Sequence, residues 1–126
     1  MDTRNKILTP AAALETLRGR PVVAVTAYFD VLRAEHADGL RRLREAAPDA
    51  ALVALVLPCA EALLTLRARA ELAAALAVID YVVAVESGPP EDLLASLQPA
   101  TVVRWEAADR ARTRQLMQHV HSRQAR

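Results

Sequence analysis

Three short aliphatic runs constrain any fold open to this chain: Val22 to Thr26, Ala51 to Leu57 and Tyr81 to Val85 are apolar almost without a break and rich in β-branched residues. Turn formers bound them. Gly19-Arg20-Pro21 precedes the first, Pro58 follows the second, and Ser87-Gly88-Pro89-Pro90 follows the third. A strand with one wet face alternates polar and apolar residues, whereas continuous runs suit strands covered on both faces, as in a parallel sheet. A weaker fourth run, Thr101 to Arg104, follows Pro99.

Helical spacing fills the intervals. Leu40, Leu43 and Ala47 share a face after His36; Ala62, Leu66, Ala70 and Ala73 share one within an alanine-rich segment from Glu61 to Ile79; Leu93, Leu94 and Leu97 follow Pro90. Thr9 is placed to cap a short helix running to about Leu17, with Pro10 in its first turn. Strands alternating with helices imply βαβ units, hence an α/β fold with a mostly parallel sheet in a Rossmann-like three-layer sandwich. Residues 107–126 are polar and arginine-rich, and Leu116, Met117 and Val120 form a narrow apolar stripe that predicts a C-terminal helical extension docked on the sheet. No repeat or linker divides the chain, so residues 1–126 are expected to form one domain.

Composition narrows the function classes. With 126 residues, 53% of them hydrophobic, the chain has enough apolar surface for a single core. A formal net charge of +1 supplies no long-range field to draw nucleic acid or an anionic membrane. The arginines between Arg104 and Arg126 have Trp105 as their sole aromatic companion, so a stacking platform for nucleic acid is missing. Cys59 is alone, which excludes a disulfide or a cysteine cluster within one chain and suits a reducing compartment. The longest uncharged run, Ala50 to Ala60, falls far short of the roughly 20 residues of a membrane helix, and the leading MDTRNK has no apolar signal region. A cytoplasmic protein is expected. His119 and His121 stand two residues apart, on different faces of a helix, so no metal site is expected.

In an open parallel sheet, ligands sit beyond the carboxyl ends of the strands where the strand order reverses. The first aliphatic run ends in Thr26-Ala27-Tyr28-Phe29-Asp30, and the helix after it turns its amide-rich N-terminus toward the same crevice, an end that attracts phosphate. His36 lies close to that end. Taken alone, Asp30 reads sooner as a helix or turn cap and His36 as a partly buried surface histidine.

The stretch from Ala27 to His36, AYFDVLRAEH, resembles the signature of the cytidylyltransferase-like nucleotidyltransferases, Gly-x-Phe-Asp-x-x-His-x-Gly-His. Phe29, Asp30 and His36 match it; Ala27 and Glu35 stand in place of its glycines and Arg33 in place of its first histidine. The order of elements is also similar to that of the adenylyltransferase domain of the bifunctional heptose-phosphate enzymes. KILT (Lys6 to Thr9), Arg69-Ala70-Glu71-Leu72 and Asp80-Tyr81-Val82-Val83 carry this likeness, which spans roughly residues 6–105.

The resemblance implies a sheet order, numbering the aliphatic runs along the chain, of 3-2-1-4 with the family's fifth strand missing, and a ligand crevice between runs 1 and 4. Such enzymes join a nucleoside triphosphate to a phosphorylated small molecule and release pyrophosphate, commonly with magnesium. It further implies catalytic roles for His36, for Arg104 at the position of a lysine after the fourth strand, and for Arg33 as substitute for the missing histidine. Nucleotide-binding positions carried over are Thr26, Ala27, Tyr28, Phe29, Asp30 and His36, with Thr113 at the Ser/Thr-rich motif of the last helix.

The departures weigh on catalysis. Losing one preorganised donor typically costs on the order of 10² to 10³ in rate. Glycine lets backbone and phosphate approach closely, whereas a carboxylate about 5 Å from a phosphate charge is repelled by roughly 3 kcal/mol at an effective dielectric near 20. The expectation is a degenerate domain, weakly catalytic or non-catalytic, that retains affinity for a nucleotide or phosphate. The alternative is an active adenylyl- or cytidylyltransferase using magnesium with ATP or CTP at a remodelled site. Loss of the fifth strand leaves run 4 as an edge, and such edges are covered or paired, so a homodimer that buries this edge or the stripe of Leu116, Met117 and Val120 is expected.

Overall fold

A computed structural model of the chain describes residues 2–30, 34–107 and 111. A two-residue strand, β1 (Ile7–Leu8), precedes four strands that coincide with the aliphatic runs: β2 (Val22–Ala27), β3 (Ala51–Val56), β4 (Tyr81–Ala84) and β5 (Thr101–Arg104). All pairings are parallel, in the order β1-β4-β3-β2-β5. The four runs thus take the order 3-2-1-4. The sheet nevertheless has five strands, because Ile7 and Leu8 pair with Val82 and Val83 at the edge away from β5. Two residues carry no periodicity, which is why this strand is silent in the sequence. Its addition makes β3 rather than β2 the central strand.

Every residue of β2 and β3 is buried, because helices cover both faces of the sheet. Successive strand residues point to opposite faces. On one face, Val23, Val25, Leu52, Ala54 and Val82 pack against Leu40 of α2 (Ala34–Ala46) and Ala70, Ala73 and Ala74 of α3 (Leu66–Ala74). On the other, Val22, Ala24, Val53, Leu55 and Val83 pack against Ala13 of α1 (Pro10–Thr16) and Leu94 of α4 (Glu91–Leu97). Leu40 is wholly buried, a contribution of about 1.5–3 kcal/mol from its side chain alone.

Local chemistry sets the helix ends. The Thr9 hydroxyl accepts from the Ala12 amide at 3.1 Å and Pro10 opens the first turn of α1, as its sequence predicts. Helix α3 is shorter than the alanine-rich segment predicts. It begins at Leu66, where Thr65 caps the Ala68 amide at 3.1 Å, and ends at Ala74. The residues before it are drawn out of helical bonding by Asp30, whose carboxylate takes the Leu63 and Leu64 amides.

At the amino ends of the strands, Arg44 donates to the Ala50 and Val78 carbonyls, each at 2.8 Å, and to the Asp80 carboxylate. Asp80 also accepts from the Leu52 amide at 2.9 Å. Asp80, part of the Asp-Tyr-Val-Val likeness, therefore clasps α2 to β3 and β4 at the end of the sheet opposite the crevice. No helix among the described residues is long and apolar enough to cross a membrane. Of the predicted C-terminal extension, residues 107 and 111 are described, while Leu116, Met117 and Val120 lie outside the described residues, as do His119 and His121.

Candidate functional site

Strand β2 leaves the sheet through Tyr28 and Phe29, and Phe29 takes a left-handed φ of 54°. That conformation is costly for a bulky residue and persists only where the surroundings enforce it. Here they do: the Phe29 ring is 1% exposed within the core under α2 and α3. The same turn presents Asp30 to the loop after β3. Its two carboxylate oxygens accept from Leu63 N at 2.8 Å and Leu64 N at 2.9 Å, so the loop after β3 is anchored to the end of β2.

A buried cation braces the same loop. Arg69, 2% exposed, donates from Nη1 to the Tyr28 carbonyl at 2.9 Å and the Leu57 carbonyl at 2.7 Å, and from Nε to the Leu64 carbonyl at 3.2 Å. These carbonyls lie just past the carboxyl ends of β2 and β3 and at the loop, so one guanidinium fixes their spacing. Its fork of fixed donors suits three separate acceptors in a way an ammonium does not.

Between β2 and β5 the crevice receives the segment that follows β5. The Trp105 amide donates to the Thr26 carbonyl at 2.7 Å, extending the ladder one step past β5. The indole crosses onto α2 and meets buried His36 edge to face, with ring centroids 5.7 Å apart and planes at 66°. Gly39 makes room for it, since a Cβ there would stand 3.0 Å from Trp105 Cζ2 and 3.1 Å from Cη2. His36 and Gly39, one helical turn apart, form a seat for the indole.

On the other side of β5 the charges are matched internally. Arg104, opposite Thr26 in the β2–β5 register, donates from Nη2 to Glu91 Oε1 at 2.7 Å and from Nη1 to Glu106 Oε1 at 3.5 Å. The second Glu106 oxygen accepts from the hydroxyl of wholly buried Thr26 at 2.6 Å. Hydrogen bonding to Glu91 raises the pKa of Arg104, and the same bond from Arg104 holds the Glu91 carboxyl below its ordinary value of 4.5. Among these groups one guanidinium faces two carboxylates. This donor set is a poor fit to a triphosphate, because Arg104 and Thr26 are both engaged and each carboxylate opposes further negative charge.

At the carboxyl ends of β2 and β5 the structure brings Thr26 and Arg104 together on the face of α4, and Trp105 and His36 together on the face of α2, while Asp30 works one strand over, on the loop after β3. Ala27 and Tyr28 are buried beneath, and the Ala27 carbonyl accepts from the Leu57 amide at 2.9 Å. Glu35 is exposed at the start of α2. Arg33 and Thr113 lie outside the described residues. Glu91, Glu106, Gly39 and Arg69 were not singled out by sequence as site residues. Of these only Gly39 carried a signal, as a glycine within helical spacing, which points to a close approach. A separate open cleft of about 670 Å³ at the ends of β1 and β4, between Thr9, Leu14, Glu86 and Leu93, includes none of the predicted site residues.

No protein-family model and no curated protein matches the chain, so its likeness to the nucleotidyltransferases rests on the residues quoted above.

Proposed function

We propose that the chain is a degenerate nucleotidyltransferase-like domain that works as a cytoplasmic binding and assembly module, with little or no catalysis. One observation carries this reading: the crevice groups that would meet a polyphosphate are already paired, Arg104 with Glu91 and Glu106, and Thr26 with Glu106. A nucleotide or phosphorylated small molecule would have to displace those carboxylates, so its affinity is low. The module associates with a second copy through the edge of β5, which among the described residues pairs with β2 alone and leaves Val102 40% exposed.

The second reading, an active adenylyl- or cytidylyltransferase using magnesium with ATP or CTP, rests on the sequence resemblance, since His36 meets Trp105 on the α2 face of the sheet while Arg104 pairs with Glu91 of α4 on the other. In that reading Arg104 and His36 stabilise the departing pyrophosphate and Arg33 stands in for a histidine. Pyrophosphate release separates the two. With magnesium, ATP or CTP, and a panel of sugar and alcohol phosphates, the chain is expected to release none above the protein-free rate; turnover that follows protein concentration and is lost in Arg104→Ala would establish the enzyme instead.

A further inference from the structure

We propose that Glu106 is a resident ligand of an anion site at the carboxyl ends of β2 and β5, so that an external oxyanion such as phosphate or pyrophosphate binds only when this carboxylate is withdrawn. The inference rests on the functional reading above and adds what closes the crevice. Thr26 is wholly buried, and its hydroxyl must give its proton to something. It gives it to Glu106 Oε2 at 2.6 Å, a separation typical of a hydroxyl bound to an ionised carboxylate. The Glu106 side chain is only 20% exposed, and its other oxygen faces Arg104 Nη1 at 3.5 Å. One oxygen on a buried hydroxyl and another toward a guanidinium is also how two oxygens of a compact oxyanion would be held.

Glu106 holds this place through proximity. It follows Arg104 by two residues, and the Trp105 amide between them is fixed to Thr26 at 2.7 Å. A tethered carboxylate acts at a local concentration in the millimolar range or above, which an external anion must exceed. Glu91 raises the barrier further by occupying the far side of Arg104 at 2.7 Å. Removing the Glu106 side chain should therefore leave a vacant space walled by one buried hydroxyl donor and one guanidinium.

The test uses the full chain with Glu106→Ala, Glu106→Gln and the double variant Glu106→Ala/Arg104→Ala. Inorganic phosphate and pyrophosphate are the probes, against sodium chloride at matched ionic strength. Thermal melting reports ligand-linked stability, and emission from Trp105, the one tryptophan in the chain, reports on the site from the next residue. Glu106→Ala is expected to melt lower than the parent and to recover on adding phosphate or pyrophosphate but not chloride, with binding at least about tenfold tighter than the parent's. Glu106→Gln still fills the space and offers Thr26 an acceptor oxygen, so it should bind no tighter than the parent, and the double variant should lose the gain.

Should Glu106→Ala fail to fold, Glu106→Ser, which also removes the carboxylate and leaves room for a water to meet the Thr26 hydroxyl, carries the same comparison. A folded small-residue variant that responds to phosphate no better than the parent overturns the proposal, as does a Gln variant that gains equally. Either result leaves the functional reading intact, whereas pyrophosphate release by the parent would overturn that reading directly.

Discussion

The Asp30 carboxylate accepts from two consecutive amides, Leu63 N and Leu64 N, that lie 33 and 34 positions along the chain. Asp30→Ala should therefore loosen the loop before α3. Hydrogen bonds to a charged acceptor contribute about 1.5–3 kcal/mol each at best, but these are near solvent, so a loss of about 1–2 kcal/mol in urea unfolding is expected for the pair. Asp30→Asn retains one acceptor oxygen and should lose about half as much. Unchanged stability in both variants would show that the carboxylate is not what holds the loop. Phe29, Asp30 and His36 could be picked out by residue type and spacing, but their partners could not. Those partners are backbone amides 33 and 34 positions distant, or, for Thr26, a carboxylate 80 positions distant, and periodicity and motif spacing report only near neighbours.

Strands β2, β3 and β4 were legible because continuous aliphatic runs have one economical use, burial on both faces, whereas β5 is a short run, mostly exposed, marked chiefly by the preceding Pro99. What extends from them was not. Helix α3 loses the start of its alanine-rich segment because Asp30 and Thr65 bind the amides of residues 63, 64 and 68, a contest that helix propensity does not record. Arg69 belongs to this scale because it joins elements: β2 through Tyr28, β3 through Leu57, and the loop through Leu64. Arg69→Met fills similar volume but leaves three carbonyls without their donor, two of them in contacts wholly buried from solvent. A buried polar group left unpaired costs about 1–3 kcal/mol, so the variant should lose at least about 3 kcal/mol in chemical denaturation. Arg69→Lys can serve one or two of the three and should fall between. A loss under about 1 kcal/mol in Arg69→Met would mean that the carbonyls find other donors and that the guanidinium is not the brace.

At the scale of the whole molecule, the sheet has, among the described residues, two unlike edges. The β1 edge is two residues long, which limits the template it offers to another chain. The β5 edge is four residues long, and its burial pattern is the most open of the five strands, with Val102 40% exposed. Two copies of β5 meeting about a twofold axis must run antiparallel, which would join two five-stranded sheets into one and place Val102 and Val103 at its centre. The sheet order of the four runs was available only through the family resemblance, because nothing local in the chain states which strands are neighbours. The exposed edge follows from that order. Val102→Lys puts a charge where an antiparallel partner would lie, while its long side chain can reach water in the monomer, so the fold should survive. The parent is expected to sediment as a dimer at micromolar concentration, and Val102→Lys as a monomer with the parent's far-ultraviolet circular dichroism. A monomeric parent would remove the dimer. A dimer untouched by Val102→Lys would move the interface away from β5, since a lysine at the middle of a paired edge cannot be accommodated without either burying its charge or parting the strands.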